Sequence, residues 1–193
     1  MRSKESTIIK FLIERKNEEW NIRSISKSLE MDYKSVYLII KRLEKLSMVQ
    51  IKTFGQSSKI KLNAIIHPLV FEAEFERRKE ILKNKNLAVM LSNFKRAIKS
   101  RLYILLLFGS YAKKTQTKSS DIDIMFICPD RFEDAFEKDV NKVVRSMPLP
   151  LHPSVFSESQ FLEMVNAKEP NVGQEALKNN VILYGIEQYY ELM

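Results

Sequence analysis

Residues 109–123 read GSYAKKTQTKSSDID, and their spacing predicts both a fold and a chemistry. A Gly-Ser pair ends the apolar run 103–108, ten residues follow, and a D-x-D motif then lies inside a second apolar run. Successive side chains of a β-strand point to opposite faces, so Asp121 and Asp123 are predicted to share one face of a strand. Two neighbouring carboxylates repel each other unless a cation or a proton lies between them, and Mg²⁺ takes oxygen ligands of this kind.

The Gly-Ser pair supplies what a phosphate needs. Glycine at 109 lets the backbone approach a phosphate closely, and Ser110 adds a hydroxyl and backbone N–H donors. Alone, a Gly-Ser pair is usually a turn, and a D-x-D motif is usually a solvated pair. Together, each beside an apolar strand, they indicate a phosphoryl-transfer site.

Composition describes an ordinary globular protein: 45% of the 193 residues are hydrophobic and 29% are charged. The single cysteine, Cys128, excludes an internal disulfide, and its apolar surroundings predict a buried, inert thiol. No apolar stretch approaches the roughly 20 residues that cross a bilayer, and the charged start MRSKES does not resemble a signal peptide. We therefore expect a cytoplasmic protein.

The net charge of +8 is unevenly distributed along the chain. Residues 1–65 hold 14 Lys and Arg against 7 Asp and Glu, whereas residues 66–193 hold 18 against 17. This asymmetry predicts an N-terminal module that meets a polyanion. The alternative is a lysine-rich, solvated surface.

The first third of the chain predicts three helices and a hairpin. Apolar residues in 8–13 indicate the first helix, Ser24 is the expected N-cap of the second, and Asp32 that of the third. Apolar and polar residues then alternate on both sides of Gly55, which predicts a β-hairpin over 48–62.

This order resembles a winged helix-turn-helix domain, with 36–52 (VYLIIKRLEKLSMVQIK) similar to a recognition helix that runs into the wing. The resemblance implies double-stranded DNA as a partner, although such domains also bind proteins. We expect base contacts in the major groove from Lys34, Ser35 and Tyr37. Phosphate contacts are expected from Lys41, Arg42, Lys52, Lys59 and Lys61.

A linker helix, or two helices, is predicted over 69–90. Its apolar stripe includes Phe75, and the charged segment 75–80 (FERRKE) is expected on the solvated face. A homodimer through this helix would cover the stripe.

The remainder alternates strands with helices, which predicts an α/β (α+β) sheet with helices on one face. Predicted strands are 102–108, 122–127, 149–156 and 181–184, and predicted helices are 92–100, 131–146, 158–165 and 174–178. The expected domains are therefore a winged helix-turn-helix at 1–65, a linker helix at 66–91 and a catalytic-looking domain at 92–193.

The G-S-x10-D-x-D spacing between strands, with the ending NNVILYG at 179–185, resembles the minimal nucleotidyltransferase branch of the DNA polymerase β superfamily. The resemblance implies that a nucleoside triphosphate binds with Mg²⁺ and that a nucleotidyl group is transferred, with release of pyrophosphate. It further implies that Gly109 and Ser110 hold the triphosphate, and that Asp121 and Asp123 are the catalytic metal ligands.

Members of this family usually add a third carboxylate from the strand after the helix. Here that strand, 149–156, reads LPLHPSVF and contains no acid. His152 or Ser154 lies about where the acid would be, and Glu158 follows the strand. Two carboxylates hold one metal ion more securely than a pair, so a two-metal site is doubtful.

Three functions remain open at this stage. The chain is a Mg²⁺-dependent nucleotidyltransferase brought to DNA by its winged helix, or a transcriptional regulator whose degenerate nucleotidyltransferase domain senses a nucleotide or partner. The third is a toxin–antitoxin role with a small helical partner protein, which the family resemblance suggests.

Overall fold

The computed structural model describes residues 3–54 and 57–193 and combines helices with two small sheets. It divides into two compact units, one up to Ala73 together with Met193, and one from Glu74 to Leu192. In the part of the chain that is described, no helix has the length and apolar character needed to cross a membrane.

The N-terminal unit contains three helices followed by an antiparallel hairpin. The helices are α1 (Lys4–Glu14), α2 (Ile22–Ser28) and α3 (Tyr33–Lys45), and the strands are β1 (Val49–Phe54) and β2 (Ser57–Leu62). The predicted helices and hairpin strands are therefore confirmed. The turn predicted at Gly55 lies outside the described residues.

Helix α2 starts three residues earlier than the sequence suggested. Asn21 is its N-cap: the Asn21 side chain accepts from the Ser24 backbone N–H at 2.8 Å, and Ser24 Oγ accepts from the Asn21 N–H at 2.9 Å. The prediction of Ser24 as the cap was wrong because both side chains belong to one reciprocal capping box, and Ile22 is buried as the first helical residue.

Asp32 caps α3 as predicted. Its carboxylate accepts a 2.8 Å hydrogen bond from the Ser35 backbone N–H, and this bond to the charged form lowers the pKa of Asp32.

The predicted linker region forms two helices, α4 (Pro68–Ile81) and α5 (Lys85–Ala97). Within the C-terminal unit, Arg77 is only 7% exposed and bonds to Glu74 at 2.6 Å and to the Asn180 carbonyl, while the Tyr190 hydroxyl donates to Glu74 at 2.9 Å. The expectation that FERRKE lies wholly on a solvated face was therefore wrong for Arg77. Phe75, expected in the apolar stripe, is 54% exposed instead. The homodimer through this helix stays a prediction.

The C-terminal unit is built on a four-stranded mixed sheet. Its strands are β3 (Ile104–Leu107), β4 (Ile122–Cys128), β5 (Leu151–Ser157) and β6 (Val181–Tyr184), in the order β5-β4-β3-β6. Strand β4 runs parallel to β5, and β3 runs antiparallel to both β4 and β6. Pro153 fits β5 because an edge strand tolerates a residue that has no N–H to donate.

Helix α5 precedes β3, and the other helices that lie wholly within this unit follow between and after the strands. They are α6 (Gly109–Lys113), α7 (Glu133–Arg145), α8 (Glu158–Asn166), α9 (Val172–Lys178) and α10 (Ile186–Leu192). Helix α10 was not predicted; it follows Gly185, whose φ of +75° turns the chain out of β6.

The sheet is buried on both faces. On one face, Phe126 packs with Phe94 of α5 and Phe136 of α7. On the other, Met125 and Ile127 are also buried, and α8 contacts β4 and β5. The expectation of helices on one face only was therefore wrong, because continuous apolar strands such as β4 need cover on both sides.

Candidate functional site

The Gly-Ser and D-x-D halves of the motif come into contact where β3 ends. The Phe108 backbone N–H donates to the Asp123 carbonyl at 3.0 Å, which places the next residue, Gly109, against Asp123. Gly109 has a φ of +63°, and a Cβ atom at this position would lie 2.1 Å from Asp123 Oδ2. Glycine is favoured here, because a side chain would be strained in this backbone conformation and would displace the carboxylate.

The two aspartates emerge from the start of β4. Ile122 and Ile124 are 2% and 0% exposed and belong to the core, so the alternation expected around Asp123 is observed. The Asp123 side chain is 27% exposed, and Asp121, immediately before the strand, is exposed. Ser110 is half-buried in the first turn of α6.

The register of β5 shows which residue stands beside Asp123. His152 pairs directly with Asp123, and its Nδ1 lies 3.2 Å from Asp123 Oδ1, with the imidazole 72% exposed. Ser154 pairs with Met125, one pleat further along. Of the two residues suggested for the position of a third acid, His152 is therefore the one that contacts the D-x-D motif.

Glu158 lies at the other end of the strands. It follows Ser157, which pairs with Cys128, whereas Asp123 pairs with His152. Five strand positions separate these pairs, which is about 17 Å at the usual rise per residue. Glu158 is therefore too distant to supply the missing carboxylate.

The donor set fits one divalent cation better than two. Asp123 lies on β4 and Asp121 immediately before it, and a cation held by one or two carboxylates completes its shell with water and substrate phosphates. Among residues 3–54 and 57–193, no three Asp, Glu, His or Cys side chains are gathered as a metal site. The nearest additional donor is the imidazole of His152.

Two lysines at the end of α6 already have acidic partners. Lys113 Nζ lies 3.1 Å from Glu175, and Lys114 Nζ lies 4.0 Å from Glu80. Sequence reasoning missed both contacts because they join residues far apart in the chain. Either lysine would have to exchange a carboxylate for a phosphate in order to bind a nucleotide.

Cys128 is a buried thiol, as predicted. Burial raises its pKa to about 11, and the negative charges of Glu133 and Asp130 add to the shift. A thiol that stays protonated at neutral pH is not a nucleophile.

The candidate DNA-binding residues of α3 differ in their surroundings. Lys34 and Tyr37 are exposed, and Ser35 is half-buried. Lys41 Nζ lies 2.9 Å from Glu44, and Arg42 Nη1 lies 3.1 Å from Glu5. Two predicted phosphate contacts thus already bind carboxylates.

The hairpin gathers its three lysines on one face. Lys52 pairs with Lys59 across the two strands, and Lys61 follows on the same side of β2. Ile60, which points to the opposite face, is buried. Lys59 also forms an ion pair with Glu19.

Two further basic residues escaped the sequence analysis. Arg23 and Lys27, exposed on α2, line an open cavity of about 480 Å³ together with Ser26 and Tyr33, the first residue of α3. Their spacing of four places both on one face of α2. This spacing was a usable signal, although it is equally typical of a solvated helix.

Comparison with known proteins identifies a family for residues 76–189. Residues 76–189 match the family model described as polymerase beta, nucleotidyltransferase. A search of curated proteins finds no match. Among solved structures, a toxin–antitoxin crystallised with AMP-PNP is 23% identical, with a TM-score of 0.38, over 56% of this chain and 79% of that one. A protein from Sulfolobus solfataricus described as a nucleotidyltransferase is 20% identical, with a TM-score of 0.37, over 60% of this chain and 89% of that one.

Proposed function

Because the chain belongs to the polymerase β nucleotidyltransferase family, we propose that its C-terminal unit binds a nucleoside triphosphate with a divalent cation and transfers the nucleotidyl group to an acceptor. The family membership supports the reaction class. The acceptor is proposed only as a molecule that carries a nucleophilic oxygen.

One observation carries the proposal: the Gly109 backbone lies against the Asp123 carboxylate, with no room for a side chain between them. A triphosphate bound along Gly109 and Ser110 would therefore lie beside the aspartates that hold its cation. The close approach explains why the glycine and the second aspartate occur together in the motif.

Each residue of the proposed site has its own role in the reaction. Gly109 and Ser110 position the triphosphate through backbone N–H groups and a hydroxyl. Asp121 and Asp123 would hold a divalent cation, which when bound would offset negative charge on the phosphate oxygens. The acceptor hydroxyl oxygen forms a bond to the α-phosphorus as its proton passes to water, the bond from the α-phosphorus to the β-phosphate oxygen breaks in line with it, and pyrophosphate departs.

For the N-terminal unit we propose a winged helix-turn-helix that binds double-stranded DNA. Its helix order and hairpin support this role, as do the exposed Lys34 and Tyr37 on α3 and the three lysines on one face of the hairpin. Arg23 and Lys27 would add phosphate contacts from α2. DNA binding would bring the transferase unit to its place of action.

A transfer assay tests the enzymatic proposal. The full-length protein is incubated with Mg²⁺ or Mn²⁺, each of four α-labelled nucleoside triphosphates, and DNA, RNA or protein acceptors. Labelling that depends on Asp123 is expected, so Asp123→Asn should abolish it. The matched control, Asp139→Asn, changes an exposed acid of α7 in the same unit and should leave labelling intact.

A second candidate is a transcriptional regulator with a degenerate nucleotidyltransferase domain. It is favoured by the imidazole of His152 beside Asp123, where the resemblance leads one to expect an acid. In that case sequence-selective DNA binding would persist in the Asp121→Asn/Asp123→Asn variant, and no acceptor would be labelled. Labelling by the unaltered protein that the double variant loses would exclude this candidate.

A further inference from the structure

We propose that His152 is a metal ligand that makes the site select a divalent first-row transition ion over Mg²⁺. This inference rests on the proposed function, since it concerns the cation held by Asp121 and Asp123. It goes beyond that function by assigning the cation class and the residue that decides it.

The sheet register places the imidazole of His152 beside the carboxylate of Asp123. His152 and Asp123 are direct partners on the parallel strands β4 and β5, so their side chains project from the same face. Neither residue can move to the other face without a one-residue slip of β5, which would turn every side chain of that strand over. Their neighbouring positions on one face are therefore fixed by the backbone and do not depend on a loop.

The distance between the two donor atoms suits adjacent ligands of one ion. Two atoms that bind a transition ion at about 2.1 Å and at right angles lie about 3 Å apart. The observed separation of His152 Nδ1 and Asp123 Oδ1 is 3.2 Å. An ion could thus bind both atoms with only a small adjustment of the side chains.

The types of donor atom decide which ion is favoured. Mg²⁺ prefers oxygen ligands, whereas imidazole nitrogen suits transition ions such as Co²⁺ and Zn²⁺. The Asp123 carboxylate and the His152 imidazole form a mixed oxygen and nitrogen pair, and Asp121, substrate phosphates and water would complete the coordination. Replacing the imidazole by a carboxylate should restore the preference for Mg²⁺.

The competing explanation is that His152 only orients Asp123 through a hydrogen bond. In that case the imidazole would not bind the ion, and the site would prefer oxygen-seeking cations. Direct coordination changes the electronic environment of a ring nitrogen, whereas orientation leaves it nearly unchanged. The two explanations therefore differ in a signal from the histidine itself.

The chain contains only two histidines, so each ring can be observed separately. Full-length protein labelled with ¹⁵N-histidine is titrated with Zn²⁺ and, separately, with Mg²⁺, and its ring-nitrogen resonances are followed by NMR. Zn²⁺ should shift the His152 signals and leave those of His67, an internal control in the N-terminal unit, unchanged. The His152→Asp variant assigns the signals, and Asp123→Asn should abolish the shift.

Calorimetry supplies the second measurement. The Kd for Mg²⁺ divided by the Kd for Zn²⁺ should fall on the order of tenfold or more from the unaltered protein to His152→Asp. Zn²⁺ binding that leaves the His152 resonances in place, or an unchanged affinity ratio, would overturn the inference while keeping the proposed cation site. Failure of both ions to bind, with and without a nonhydrolysable nucleoside triphosphate, would overturn the proposed function as well.

Discussion

The two units of this protein treat their charged residues differently. In the N-terminal unit, cations predicted to meet DNA already pair with carboxylates of the same unit, as in Arg42 with Glu5 and Lys41 with Glu44. In the C-terminal unit, Asp123 of β4 is approached by an imidazole and a glycine backbone, and a second exposed aspartate, Asp121, lies just before the strand. The first arrangement neutralises charge, and the second concentrates it.

The difference separates charged side chains that can exchange partners from those whose position is fixed by the backbone. An exposed ion pair contributes only about 0–1 kcal/mol, so the basic residues of the N-terminal unit can exchange their carboxylates for phosphates at a small cost. Asp123 is held by strand alternation and by the register with β5, which side-chain rotation does not alter. A preorganised site of this kind is expected for catalysis or cation binding, and an exchangeable surface for a polyanion.

The largest expected effect is a loss of nucleotidyl transfer that leaves DNA binding by the N-terminal unit unchanged. Asp123→Asn should lower metal-dependent nucleotidyl transfer on the order of 100-fold or more, because it removes a negative charge that would hold the cation beside the reacting phosphate. DNA affinity and its salt dependence should stay unchanged, whereas Lys41→Ala/Arg42→Ala should have the reverse pattern. Transfer assays and fluorescence anisotropy with duplex DNA provide the two readouts. Loss of DNA binding in Asp123→Asn would show that the two activities are coupled.

Gly109→Ala should disturb the preorganised site directly. Its methyl group would meet Asp123 Oδ2 at 2.1 Å with a backbone φ of +63°, so we expect a loss of about 1–3 kcal/mol in the free energy of unfolding. Urea denaturation measures this loss, and Ser110→Ala is the control at the next position. In the Gly109→Ala/Asp123→Ala variant the removed carboxylate should relieve part of the clash, so the two losses should be less than additive. Strict additivity would contradict the proposed contact.

The sequence predicted the burial of Ile122 and Ile124 in β4 because this pattern depends on local geometry. Alternation alone placed Ile122 and Ile124 in the core, which left Asp123 to face the site. The choice between His152 and Ser154 needed the register of β5, a relation between residues about thirty positions apart. No local pattern contains that register, so the sequence limited the residue beside Asp123 to His152 or Ser154 but could not choose between them.

The errors of prediction have the same origin. Arg77 looked like a solvated residue because its partners, the Asn180 carbonyl and Glu74, include one that is 103 positions away. Similarly, the pairing of Arg42 with Glu5 spans 37 positions. Side-chain type and spacing determine which face a residue occupies, but long-range packing determines which partner it finds there.

A smaller effect is expected from removing basic residues of the N-terminal unit. Each phosphate contact contributes about 0.9 to the slope of log affinity against log salt concentration, so Arg23→Ala/Lys27→Ala should lower that slope by about 2. Lys41→Ala/Arg42→Ala should lower it less, because these cations give up a carboxylate when they bind a phosphate. Anisotropy titrations at several salt concentrations test the order of the two variants.

Removing the Glu5 carboxylate, which would compete with DNA phosphates for Arg42, should strengthen DNA binding instead of weakening it. Glu5→Gln should raise DNA affinity about two- to fivefold, the range that an exposed ion pair can account for. Glu137→Gln, an exposed acid of α7 in the other unit, is the matched control for the change in net charge. Equal gains from both variants would mean that net charge, and not the release of Arg42, is responsible.

The smallest functional effect is expected at the other end of β4, where Cys128 is buried and its pKa is raised to about 11. The thiol has an ordinary pKa of 9.0, so the protonated form is favoured by folding. This contribution to stability is complete below pH 9.0 and is lost as the pH rises through about 11. At pH 8 the thiolate fraction should be about 100-fold lower in the folded protein, and alkylation by iodoacetamide correspondingly slower than in denaturant. Cys128→Ser, with no labelling and unchanged nucleotidyl transfer, is the control; a native alkylation rate close to the denatured rate would show that this half of β4 is open to solvent.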